Sequence, residues 1–220
     1  MMNRRTLTQS AAALVLAACL PWPQAALAAD EAPDALIKRL SSDVLETVRN
    51  DKSIKGGDVD KIMVLVNKTI MPHVNFRRMT AAAVGPAWRS ATPAQQQSLQ
   101  DEFKTLLVRT YSGALSQVTD QTIVVKPLRM DPGDTDVLVR TEIRGRGDPV
   151  QLDYRLEKTP GAGSGWKIYN LNVLGVWLVE TYRSQFAQEI NSKGIDGLIA
   201  ALAARNKANA DANGGVARAK

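Results

Sequence analysis

After Asp120 the spacing of apolar residues changes, and the change fixes the class of fold open to the chain. Before it, apolar residues recur at steps of three and four. From Asp34, the run Leu36, Ile37, Leu40, Val44, Leu45 and Val48 predicts an amphipathic helix that Gly56-Gly57 ends. From Asp58, the run Val59, Ile62, Met63, Val66 and Ile70 predicts a second helix, which Pro72 interrupts. "PHVNFRRMTAAAVG" reads as a short third helix closed near Gly85. Thr92-Pro93-Ala94-Gln95 supplies an N-cap, a proline at the first helical position and the glutamine of a capping box. The stripe Leu99, Phe103, Leu106, Leu107, Tyr111 and Leu115 then predicts a helix from Pro93 to about Val118.

Beyond Asp120 the period is two. Val137, Val139, Thr141 and Ile143 alternate with Asp136, Arg140, Glu142 and Arg144, with Leu138 the exception. Val150, Leu152, Tyr154 and Leu156 alternate with Gln151, Asp153, Arg155 and Glu157. Such strands set one face on a core and the other in water. Asp131-Pro132-Gly133, Gly145 to Asp148 and the glycine-rich run 161–165 are turns. With strands near Thr122 to Leu128 and Trp166 to Val173, they predict a four-stranded antiparallel meander. In the last strand Trp166 and Ile168 differ in parity from Leu171 and Val173, which calls for a bulge near Asn170 or apolar contacts on both faces. Helical spacing returns from Trp177 (Val179, Tyr182, Phe186, Ile190) and again from Gly194 (Ile195, Leu198, Ile199, Leu202). The expected fold is α+β: N-terminal helices, a four-stranded antiparallel curved sheet, and C-terminal helices covering its apolar face.

The ends read differently. Arg4-Arg5, the apolar stretch Ala11 to Leu20 and Ala26-Leu27-Ala28 form an export signal over residues 1–28, with Arg4-Arg5-Thr6-Leu7 also compatible with twin-arginine export. Leu16-Ala17-Ala18-Cys19 fits a lipoprotein signal as well, so lipidation of Cys19 stays open beside cleavage near Ala28. Residues 30–204 read as one domain and 205–220 as a disordered basic tail. Arg4 and Arg5 account for two of the formal charge of +6 and the tail for a net three, leaving about +1 on the domain. No nucleic-acid footprint survives that subtraction.

Catalytic equipment is sparse. His73 is the only histidine and Cys19 the only cysteine, which removes Cys/His nucleophiles and His- or Cys-rich zinc sites from the mature domain. Asp131, Asp134 and Asp136 flank a turn without the twelfth-position glutamate of a calcium loop. The glycine-rich hairpin 161–165 lacks the Lys-Ser/Thr of a phosphate loop, and Arg77-Arg78 reads as a solvated helix face. The residues by themselves thus point to an exported α+β binding domain. A small enzyme on a similar cone-shaped fold, with His73 or Asp153 as base, is the alternative.

Three ordered stretches carry a resemblance: "MPHVNFRRM" at 71–79, "WRSATPAQQQSLQDEFKTLLVRTYSGAL" at 88–115, and Trp166 to Leu202 with "GVWLVETYRSQFAQEI" and "GIDGLIAAL". Together they resemble the MlaC family of periplasmic phospholipid-binding proteins, also described as the toluene-tolerance auxiliary family, over roughly Asp34 to Ala204. Asn75 and Asn170 stand where aspartate is usual, and Trp177 where serine is commoner, adding bulk close to the expected pocket. The resemblance implies a monomeric carrier in the periplasm of a Gram-negative bacterium, holding the acyl chains of a glycerophospholipid in a hollow interior. It implies exchange with an outer-membrane lipoprotein–porin complex and an inner-membrane ABC transporter bearing an MCE-domain subunit. No cofactor, metal or catalysis is implied. Inward strand positions and facing helix stripes then give the acyl-lining candidates Phe76, Met79, Leu107, Tyr111, Val139, Ile143, Leu152, Tyr154, Val173 and Val176.

Overall fold

The computed structural model describes residues 31–218, with side chains to Asp211. The expected export signal, Cys19 included, lies outside the described residues. Helix α1 (Pro33–Asn50) stops earlier than the glycine pair. Asp51 ends it by capping the short α2 (Lys52–Lys55) through the amides of Ser53 and Ile54. Asp58 caps α3 (Val59–Leu65), whose apolar period is continued by a π-helical turn (Val66–Ile70) and a 3₁₀ turn (Met71–His73) rather than by regular helix. Helix α4 (Phe76–Val84) starts on Asn75, whose Oδ1 accepts from the Arg78 amide at 3.0 Å. The capping box of Thr92 and Gln95 is formed at the head of α5 (Pro93–Ser116).

The sheet has five strands, not four: β1 (Thr122–Val125), β2 (Asp136–Arg144), β3 (Val150–Lys158), β4 (Trp166–Val173) and β5 (Val176–Trp177), antiparallel and in sequence order. The fifth was hidden because Val176 and Trp177 sit against an apolar helical run, yet they pair with Val173 and Asn172. Helix α6 therefore begins at Leu178 rather than Trp177. Gly194, at φ 70 and ψ −171, kinks it where the sequence placed a new helix. The helix continues to Arg218, so the expected disordered tail from Arg205 is helical at its start; Asn206 is buried and its amide donates to the Glu102 carboxylate at 2.7 Å.

Between β3 and β4, Arg155 pairs with Asn170 and Leu156 with Ile168, so Tyr169 is an inserted residue. This bulge turns Trp166, Ile168, Leu171 and Val173 all to one face with Leu152, Tyr154 and Leu156. Tyr169 and Asn170 are sent to the other face. There the Arg78 guanidinium lies 3.5 Å over the Tyr169 ring and reaches Glu157 at 2.5 Å. The Tyr169 hydroxyl donates to Asp136, which with burial pushes its pKa up to about 12. Asn170, 2% exposed, accepts from the Leu171 and Val179 amides at 2.9 and 3.2 Å and donates to Glu180 at 2.9 Å. An asparagine at either usual aspartate position thus still ends a helix, Asn75 for α4 and Asn170 for α6.

Replacing Asn170 by alanine strands the buried Val179 amide and the half-buried Leu171 amide and should lower unfolding stability by about 2 kcal/mol in urea titration. A loss below about 0.5 kcal/mol would show that this cap does not hold α6 to the sheet.

A half-closed apolar face between sheet and helices

The inner face is set by register. Val137 opposes Leu156, Val139 opposes Tyr154, and Thr141 opposes Leu152. Leu152 in turn opposes Val173, and Val173 opposes Val176. Val139, Ile143, Leu152, Tyr154, Val173 and Val176 therefore share one face, the first four as alternation along β2 and β3 predicts.

The helices meet that face unevenly. Buried residues fall into three clusters rather than one. Leu36, Ile37 and Leu40 of α1 pack on Val137, Val139, Leu156, Trp166 and Ile168. Phe76 and Met79 of α4 join Phe103, Leu106, Tyr182, Phe186 and Leu198 in a helical cluster, with Leu107, Tyr111, Leu171 and Val173 at its margin. A third gathers Leu45, Val48, Ile54, Ile62, Leu65 and Val108. Ile143 and Leu152 are half-buried and belong to none of them.

The candidates accordingly divide. Phe76, Met79 and Val139 are buried, with the Phe76 ring 5.7 Å from that of Phe103, so they fill space as core side chains do. Leu107, Tyr111 and Val173 are half-buried at the margin of the helical cluster, Tyr154 is half-buried at that of the α1 cluster, and Ile143 and Leu152 are half-buried outside all three; this half-buried seam along the sheet ends at the exposed Val176. Val150 and Leu171 lie on the same face and were missed, although alternation along β3 reaches Val150 directly and Leu171 follows once the bulge is placed. Thr141 is the polar member of the face: it is buried, and its hydroxyl donates to the Leu152 carbonyl at 2.7 Å. Burial holds the Tyr154 phenol above its ordinary range, with Ser41 and Thr141 opposing that shift; it stays neutral across physiological pH and adds no charge to the apolar wall.

Trp177 leaves the seam free. It opposes Asn172, on the outer face, and the Arg155 guanidinium lies 4.4 Å over its ring. Its bulk therefore does not fall on the inner face, against expectation. An open depression of about 480 Å³ lies elsewhere, lined by Glu46, Thr47, Asn50, Asp51 and Lys52. Those walls are polar and charged and do not suit an apolar ligand.

The two residues considered as bases are not brought together. His73 stands among Arg39, Glu31 and Lys167. Asp153 is buried on the outer face, one oxygen accepting from Gln151 at 2.7 Å and the other without a partner. Among the described residues no three His, Cys, Asp or Glu side chains are placed to hold a metal ion.

These features define an α+β domain built around a curved sheet whose apolar inner face is only partly covered. The profile of the MlaC protein family matches residues 38–204, and the chain belongs to that family. A phospholipid-binding protein from Ralstonia solanacearum, solved in complex with a phospholipid, is 46% identical, superposes with a TM-score of 0.77, and covers 80% of this chain and 98% of its own. Toluene tolerance protein ttg2D of Pseudomonas putida is 26% identical over 184 residues, 83% of either chain. The intermembrane phospholipid transport system binding protein MlaC of Haemophilus influenzae is 23% identical over 174 residues, 78% of this chain and 80% of its own.

Burial and the nearby Arg39 hold the His73 imidazole below its usual range, with Glu31 opposing. Folding thus favours the neutral ring, and stability falls as pH drops through the unfolded value of about 6.5. His73→Gln should lose less thermal stability than the wild type between about pH 7 and pH 5. Equal losses would show that His73 does not contribute to acid sensitivity.

Proposed function

We propose that this protein is a periplasmic phospholipid carrier that exchanges glycerophospholipids between an outer-membrane lipoprotein–porin complex and an inner-membrane ABC transporter bearing an MCE-domain subunit, and so maintains outer-membrane lipid asymmetry. The observation that carries the reading is the 46% identical relative solved with a phospholipid, aligned over 98% of its length. The half-covered inner face supports it from the physical side. Side chains such as Leu152 and Ile143, apolar and turned inward yet outside every core cluster, are where hydrocarbon would find partners.

Two acyl chains removed from water gain on the order of 25 kcal/mol at roughly 0.8 kcal/mol per methylene. A bilayer supplies much the same gain. A carrier needs an interior about as apolar as a membrane, so that loading and release nearly balance and its partners set the direction. Non-specific apolar lining meets that need, which accounts for a site without a charged signature. Removal of a leader over residues 1–28 would leave the domain free in the periplasm, as a monomer.

Leu152→Asp places a carboxylate in the seam. Phospholipid co-purifying with the exported protein, read by native mass spectrometry, should fall by about tenfold or more while far-UV circular dichroism stays unchanged. Wild-type occupancy in a folded Leu152→Asp protein would contradict the assignment of the seam as the acyl site.

A further inference from the structure

The β4–β5 turn holds a residue that local physics disfavours twice. Leu174 has a φ of 52, the one non-glycine with a positive value among the described residues, and Gly175 follows at 87. Two positive values in a two-residue hairpin loop are the pattern of a type I′ turn, whose first position normally takes asparagine, aspartate or glycine. The Leu174 side chain is also 64% exposed, so packing does not compensate the strain. Only its backbone is held, the amide donating to the Gln151 carbonyl at 3.0 Å.

Leu174 is not alone. Val176 is 52% exposed and Val150 36%. Val176 opposes Val173, and Val150 opposes Ile143, so both lie on the inner face. The half-buried seam of Leu152, Val173 and Ile143 therefore runs without interruption into an exposed apolar tip. Thr122, the first residue of β1, opposes Arg144, which puts the segment leaving the C-terminal end of α5 at this same end of the sheet. Single exposed leucines or valines are ordinary. Three together at one end of the sheet, one of them on a strained turn, and continuous with a half-buried apolar face, mark a contact surface.

We propose that this end of the sheet docks on the zwitterionic surface of a phospholipid bilayer, with Leu174, Val176 and Val150 reaching the boundary between headgroups and acyl chains. The proposal rests on the carrier reading: tails that leave the seam here must meet an apolar medium at once, because crossing water forfeits the gain from burial. Charge selects the kind of surface. Arg144 pairs with Glu142 at 2.7 Å, and Arg146, its side chain 93% exposed, pairs with Asp120 at 3.2 Å; Asp148 completes the turn. Such exposed pairs are weak and exchange readily. Arginines beside carboxylates match headgroups that carry phosphate and ammonium together, whereas a strongly anionic surface attracts the arginines and repels the carboxylates with little net gain.

The test is sedimentation of the mature protein with sucrose-loaded phosphatidylcholine–phosphatidylethanolamine vesicles, comparing wild type with L174N. Asparagine tolerates the positive φ, so L174N should fold at least as stably as the wild type. The vesicle-bound fraction is expected to fall about fivefold in L174N, with wild-type binding little changed by added salt. Equal binding of the two proteins overturns the proposal. So does absence of wild-type binding, or binding confined to anionic vesicles. Native mass spectrometry on the same preparations separates the two readings. Phospholipid present with binding independent of Leu174 rejects the docking surface alone, whereas phospholipid absent from both proteins rejects the carrier reading as well.

Discussion

One inserted residue governs this fold. Without Tyr169 as a bulge, the period of two along β4 would send Leu171 and Val173 to the face that carries Asp153, Arg155 and Glu157. The inner face would then lose half of its β4 wall. The same slip places Tyr169 under the Arg78 guanidinium and Asn170 at the head of α6, so α4 and α6, which pack on each other, are both registered by the residues that the bulge displaces. Asn75 adds a second tie, its amide donating to Glu157 while its oxygen caps α4. The placement of α4 and α6 and the composition of the inner face therefore both follow from a single local irregularity.

Coverage of that face grades along its length. At the Trp166 end, α1 and the segment before α4 close over it, with the Asn75 amide donating to the Ile168 carbonyl at 2.8 Å. Toward the Val150 end, α5 packs chiefly on other helices, and Leu107 and Tyr111 stand at the margin of the helical cluster. The gradient from closed to open gives the domain both the rigid frame that marginal stability demands and an apolar surface left without fixed partners. Under the proposed function, the ligand's own hydrocarbon completes the interior at the open end.

Much of this was legible in the sequence, for definite reasons. Period two and period three-to-four are distinguishable over long runs, so β2, β3, α1 and α5 stood out. The parity break in β4 announced the bulge. The short β5 did not announce itself, because two residues show no period and Val176-Trp177 joins an apolar helical run. The end of α1 was misplaced because Asp51 caps through its side chain, a signal weaker to the eye than Gly56-Gly57. The continuation of α6 past Arg205 was hidden by a polar composition that Asn206 offsets through Glu102. Alternation alone puts Val139, Ile143, Leu152 and Tyr154 on one strand face, whereas Val173 joins them only through the bulge and Val176 only through the short β5. Which of them are core and which are half-open depends on how far α4 and α5 reach across the sheet, a tertiary fact with no local signature. Trp177 shows the same limit: its neighbours in sequence are apolar, but its partner in space is Arg155.

Under the proposed function, phospholipid tails cover the half-buried inner face of the sheet that the protein's own core clusters leave incomplete. A crystal structure of the exported protein, purified without added lipid, tests this most directly. Elongated acyl density between Leu152, Val173 and Tyr111 is the result expected. A seam filled by the protein's own side chains, in material shown by extraction to carry no phospholipid, would contradict it.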